Sequence, residues 1–97
     1  MYIAACIFDL HIPGAGSLKE KRSVVQSALT RVRNQFHVSI GEVDALDQWD
    51  LAVIGLAVVS NDAIHARQVA ERILAFVERS RLDAEVGEAS IEIVQPF

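Results

Sequence analysis

The segment SLKEKRSVVQSALTRVRNQF, residues 17–36, gathers Lys19, Lys21, Arg22, Arg31 and Arg33. These are five of the nine cations in a 97-residue chain of net charge −4. Lysine and arginine spaced along one helix flank suit phosphate oxygens, and the first helical turn adds free amides that favour anions. On a 100° wheel, Lys19, Arg22, Gln26, Thr30 and Arg33 fall on a flank about 80° wide. Lys19, Arg22, Gln26 and Arg33 are therefore the candidate phosphate- or RNA-contacting residues. The competing reading is a solvated helix face whose long stems cover the core edge. Lys21 and Arg22, which border the apolar stripe, suit that reading. The acidic balance argues against nucleic-acid binding through net charge and leaves room for a local basic patch.

A second group of residues could hold a cation. Glu42, Asp44, Asp47 and Asp50 crowd one turn, and Asp9 and His11 share a strand face. Carboxylates with an imidazole can bind a divalent ion or move protons, so Asp9, His11, Asp44 and Asp47 form a candidate metal or acidic site. Turns equally favour Asp for local backbone hydrogen bonds. A D-x-D-x-D-G calcium loop is absent, and PGAGSLKEK lacks the G-x-x-x-x-G-K-[ST] phosphate-loop spacing. His11, His37 and His65 lie in different elements without metal-ligand spacing and read as surface or strand-end residues. Ser17, Ser23, Ser39 and Ser60 show no His/Asp partners for a hydrolase triad. Cys6 cannot close an internal disulfide and reads as core filler. Trp49 reads as core or interface filler. No cofactor is expected, and an enzymatic role ranks last.

The elements that must position these residues follow from periodicity. YIAACIFDLHI (2–12) is a strand apolar on both sides, which predicts a central position with little water on either face. PGAG breaks it. Ser17 followed by Glu20 is a capping-box pattern, and Leu18, Val25, Leu29, Val32 and Phe36 make the apolar stripe of a first helix. HVSIGEV (37–43) predicts an edge strand. WDLAVIGLAVVS (49–60) is apolar on both faces and belongs beside the first strand. Ser60, Asn61 and Asp62 offer N-cap chemistry for a second helix over 62–80, with Ala66, Val69, Ala70, Ile73, Phe76 and Val77 inward. DAEVGEASIEIVQPF (83–97) alternates Glu88, Ser90 and Glu92 with Ala89, Ile91 and Ile93. The order β-α-β-β-α-β predicts an α+β, ferredoxin-like sandwich over residues 1–97. It has a four-stranded antiparallel sheet, order 4-1-3-2, with two helices on one face.

Hydrophobic residues make up 52% of the chain without counting glycine. That exceeds the roughly 45–50% usual with glycine included, and predicts that some surface is buried against a partner. The open faces of the central strands are the expected site of self-association. An RNA-recognition-motif sheet would need aromatics and cations there, where this chain has aliphatics and, on its last strand, Glu88, Ser90 and Glu92. No run approaches about 18 apolar residues, so no membrane span is expected. MYIAACIFDL lacks a basic leader, and a cytoplasmic protein is the simplest expectation.

The blocks SLKEKR, RVRNQFHVSIGEVD, DQW and GLAVVSND together resemble the YlxP-like family of small bacterial proteins. The resemblance spans nearly the whole chain through Ser17, Leu18, Lys19, Lys21, Arg22, Arg31, Arg33, Phe36, Val38, Ser39, Glu42, Val43, Asp44, Asp47 and Trp49. It implies a ferredoxin-like fold and a cytoplasmic bacterial protein. Members are commonly encoded beside transcription-elongation, translation-initiation and ribosome-maturation factors, and some are labelled probable ribosome-binding factors. No catalytic residues come with the resemblance. The expected function is therefore a non-enzymatic RNA- or ribosome-associated accessory factor that meets phosphate through the first helix. The alternative is a homo-oligomeric small-ligand or metal-binding module with its site between copies.

Overall fold

Strict alternation in Tyr2–His11 (β1) sends Ala4, Cys6, Phe8 and Leu10 to one side, where all four are buried. The computed structural model describes residues 1–80 and 83–97. Pro13 and Gly14 turn the chain, and Ser17 caps the helix Leu18–Phe36 (α1) by accepting the Glu20 amide at 3.1 Å. The chain continues through Ser39–Asp44 (β2), Leu51–Ser60 (β3), Ala63–Arg79 (α2) and Glu85–Val94 (β4). Asp62 caps α2 by accepting the amides of Ile64 and His65.

The sheet order is β2-β3-β1-β4 and all its pairings are antiparallel. This is the predicted ferredoxin-like sandwich. β1 and β3 pair over their full length, from Tyr2 opposite Ser60 to His11 opposite Leu51. Both helices cover one face. The core lies between the layers, with Phe8, Leu10, Ile54 and Leu56 from the sheet against Val25, Leu29 and Val32 of α1 and Ala66, Ala70, Ile73 and Val77 of α2. Phe36 and Phe76 meet edge to face, their centroids 5.4 Å apart, and join the two helices. Cys6 is buried among these residues, and burial pushes its thiol up from the ordinary value.

Three details depart from the sequence reading. His37 does not begin β2. It ends α1 in the left-handed conformation (φ 52°), with its amide donated to the Arg33 carbonyl at 3.0 Å. Trp49 is not core: it precedes β3 and is 52% exposed. The predicted burial of β1 and β3 on both faces holds on the helix side alone, since Ile7 is 47% and Val59 66% exposed on the other.

A register shift at Phe8/Leu10 gives β4 one residue more than β1 opposite Asp9. The His11 ring lies against Gly87 there. A Cβ on Gly87 would come within 2.7 Å of His11 Nε2, so glycine permits this approach. Ile73, fully buried between the layers, tests the core. Ile73→Ala is expected to lower the urea-unfolding free energy by about 2–5 kcal/mol, while Ile64→Ala on the exposed side of α2 shifts it by less than about 0.5 kcal/mol.

Candidate nucleic-acid interface

The flank of α1 is where helical geometry puts it. Lys19, Arg22, Gln26, Thr30 and Arg33 are all exposed. From Lys19 to Arg33 the helix rises about 21 Å. Among the described residues, neither Lys19 nor Arg22 is held in an ion pair. Arg33 is partly committed: its Nη2 donates to the Ile40 carbonyl of β2 at 2.7 Å. A guanidinium has five N–H donors, so Arg33 keeps others for solvent or a ligand. The N-terminal turn is less hospitable to anions than the sequence suggested. Gly16 donates its amide to Glu20 Oε2 at 2.6 Å, which places a carboxylate beside the PGAG loop.

Lys21 does not join the other cations. It is 1% exposed, the buried charged residue of the core. Its Nζ donates to the Ala45 carbonyl at 2.7 Å and lies 2.8 Å from Glu42 Oε2. The short distance to Glu42 makes an ion pair, while Oε2, itself buried, lacks a well-angled hydrogen bond. The acceptor residue Ala45 is in the left-handed region, φ 58°, which costs an alanine roughly 1–2 kcal/mol. Three bonds hold it there. Its carbonyl also accepts the Gln48 amide at 3.0 Å, and its own amide donates to Asp44 Oδ1 at 2.7 Å. A bulge at Val43, between Glu42 opposite Ile54 and Asp44 opposite Val53, precedes this turn.

Residues 3–91 match the family described as "Protein of unknown function (DUF503)". The chain belongs to the DUF503 family. A curated relative, "Uncharacterized protein YlxP" of Bacillus subtilis (strain 168), is 45% identical over 64 residues, covering 66% of this chain and 70% of the relative. A de novo designed protein with a ferredoxin fold, solved by solution NMR, superposes with a TM-score of 0.53. That comparison covers 95% of this chain and 85% of the design at 11% identity, and it supports the fold alone.

The structure gives a physical reason why separate blocks of this sequence belong together. Lys21 comes from SLKEKR; Glu42 and Asp44 come from SIGEVD; Arg33 reaches from α1 to Ile40 in the same segment. Lys21 ties the first block to the second, and Arg33 ties the helix to the strand within the second, so α1 is held near both ends of β2. Lys19, Arg22 and Arg31, from the same blocks, are exposed instead.

Among the described residues, cations are confined to the helix layer, which also carries Glu20, Glu71 and Glu78. Every Lys and Arg among the described residues is on α1 or α2: Lys19, Lys21, Arg22, Arg31, Arg33, Arg67, Arg72 and Arg79. The strands carry Asp9, Glu42, Asp44, Glu85, Glu88 and Glu92 and no Lys or Arg. The candidate acidic-site residues lie on that negative side. Asp9 and Asp44 flank Val53 from opposite neighbouring strands. Asp44 holds the Ala45 amide, and Asp47 is exposed in the following turn. Among the described residues, no three His, Cys, Asp or Glu side chains converge as metal ligands. A cavity of about 590 Å³ between the β1–α1 loop and the start of β4 is rimmed by Glu20, Asp83 and Glu85, which disfavours phosphate there.

Breaking the buried ion pair should cost more than removing it. Lys21→Ala is expected to lower the urea-unfolding free energy by about 3–5 kcal/mol, because the Glu42 carboxylate and the Ala45 carbonyl lose their cation. Lys21→Met combined with Glu42→Leu should recover most of that loss. A single-substitution cost no larger than that of an exposed residue would contradict the assignment.

Proposed function

We propose that this DUF503 protein is a non-enzymatic accessory factor that contacts RNA phosphate, in a ribosomal setting, through the exposed flank of α1. The observation that carries this reading is the confinement of the described cations to the helix layer. A chain with net charge −4 nevertheless presents Lys19, Arg22 and Arg33 along one open helix flank, on the layer that holds its cations. Phosphate contacts from such a flank position a protein without reading sequence. Base stacking is not part of the reading. Phe36 and Phe76 are engaged with each other, and the open faces of β1 and β3 carry aliphatic side chains together with Asp9 and His11 but no Phe, Tyr or Trp. The ribosomal setting comes from the resemblance to YlxP-like proteins.

The test is co-sedimentation with ribosomal subunits across a salt series. The wild-type protein is expected to sediment at low salt and to be released as salt rises, since each phosphate contact displaces counterions. Lys19→Glu with Arg22→Glu should abolish sedimentation while leaving the urea midpoint unchanged, because both side chains are exposed. Wild-type protein that stays in the supernatant at low salt overturns the proposal. So does binding that the double charge reversal leaves intact.

A further inference from the structure

Trp49 is a large side chain that the fold leaves in water. It neither belongs to the core cluster nor packs against it. The connection that carries it, residues 45–50, is nonetheless fixed at both ends. Ala45 is held by the three bonds described above, and the Asp50 carbonyl accepts the Ile12 amide at 2.8 Å. An aromatic surface is thus presented on a fixed support, which spares a partner the entropy of ordering it. Tryptophan is enriched among the residues that anchor interfaces.

Its surroundings select the chemistry of the partner. Trp49 lines a shallow hollow of about 560 Å³ between the β1–α1 loop and the β2–β3 connection, with Pro13 and Ala15 from the loop and Asp47, Gln48 and Asp50 from the connection. Asp47 and Asp50 are exposed, and among the described residues neither is in an ion pair. Asp44 differs, because its carboxylate is taken by the Ala45 amide. The chain has no Lys or Arg from residue 34 through residue 66, so the connection supplies no cation of its own. An anion is repelled here, and a hydrated metal ion leaves the indole unused. A guanidinium uses both parts: its flat, weakly hydrated face stacks on an indole while its edge donates to carboxylates. The hollow is too open to enclose a free small molecule, which ordinarily loses most of its surface on binding. An arginine presented by a larger partner needs only its side chain seated.

We propose that this hollow is a docking site for an arginine side chain of a basic protein segment. The guanidinium lies over the Trp49 indole and its N–H groups meet Asp47 and Asp50. Lys19, Arg22 and Arg33 do not line the hollow, so the inference stands independently of whether α1 contacts RNA.

Trp49 is the single tryptophan, so its emission reports on this hollow. The probe is a capped peptide of alternating glycine and arginine, compared with a glycine–lysine peptide of equal length and charge. The arginine peptide is expected to change the emission to saturation and to bind about threefold more tightly than the lysine peptide. Asp47→Asn with Asp50→Asn should weaken binding about fivefold, and Trp49→Ala, followed by calorimetry, about tenfold. Both variants should keep the wild-type urea midpoint, because all three side chains are exposed. Lys19→Glu with Arg22→Glu should bind the peptide at least as tightly as the wild type, which separates the hollow from the α1 flank. No saturable change below about 1 mM peptide overturns the proposal. Equal affinity for the lysine peptide also overturns it, as does binding that survives Trp49→Ala or the paired asparagine substitutions. Emission that depends on protein concentration without peptide, and loses that dependence in Lys19→Glu with Arg22→Glu, assigns the hollow to a second copy and overturns it as well.

Discussion

One buried ammonium fixes how α1 sits on the sheet. Lys21 faces inward between the helix and the β2–β3 turn, where an unpaired charge could not be tolerated. Glu42 and the Ala45 carbonyl are the groups that make its burial possible. Once Lys21 is held inside, helical geometry sets the roll of every neighbour. Arg22 is turned about 100° away and Lys19 about 160°, so both point to solvent. The exposed flank is thus a consequence of the buried cation two residues from its start. Arg33 repeats the tie at the other end by bonding to the Ile40 carbonyl, which limits how far the helix can swing.

Much of this architecture was legible in the amino-acid pattern. The alternation of Ala4, Cys6, Phe8 and Leu10, the Ser17 cap and the doubly apolar β3 led to the observed strand order because local and long-range preferences agreed. The buried Lys21 was not legible. On a helical wheel it stands at the stripe's border, where a long side chain can either point out or fold in. What decides the matter is a carboxylate 21 residues later in sequence, brought close through an edge strand with a bulge at Val43. No periodicity encodes that distance. Ala45 carried no signal either, because a left-handed turn is usually announced by Gly or Asn, and here tertiary bonds hold an alanine instead. The core alternative for Trp49 fails because Asp50 separates it from the apolar run, and pairing begins only at Leu51.

The acidic residues of the turn illustrate the same limit. Asp44 has the chemistry of a metal ligand, yet its carboxylate holds the Ala45 amide. That bond shapes the turn whose carbonyl receives Lys21. A residue type that could bind an ion here organises the backbone around an ammonium. Glu20 is comparable: part of the cap at the start of α1, it also closes the Gly16 amide that an anion would have used. In both places local hydrogen bonding engages a side chain that composition alone would leave free for a ligand.

The described cations all stand on the helices, where they outnumber Glu20, Glu71 and Glu78, while the strands carry carboxylates alone, and this gives the molecule a permanent electric moment directed across its two layers. In a non-uniform field such an object experiences a torque before it experiences a net pull. Near a polyanion the average charge of the chain opposes approach, while the torque turns the helical side forward. Within roughly a Debye length, about 8–10 Å at moderate ionic strength, orientation therefore precedes contact.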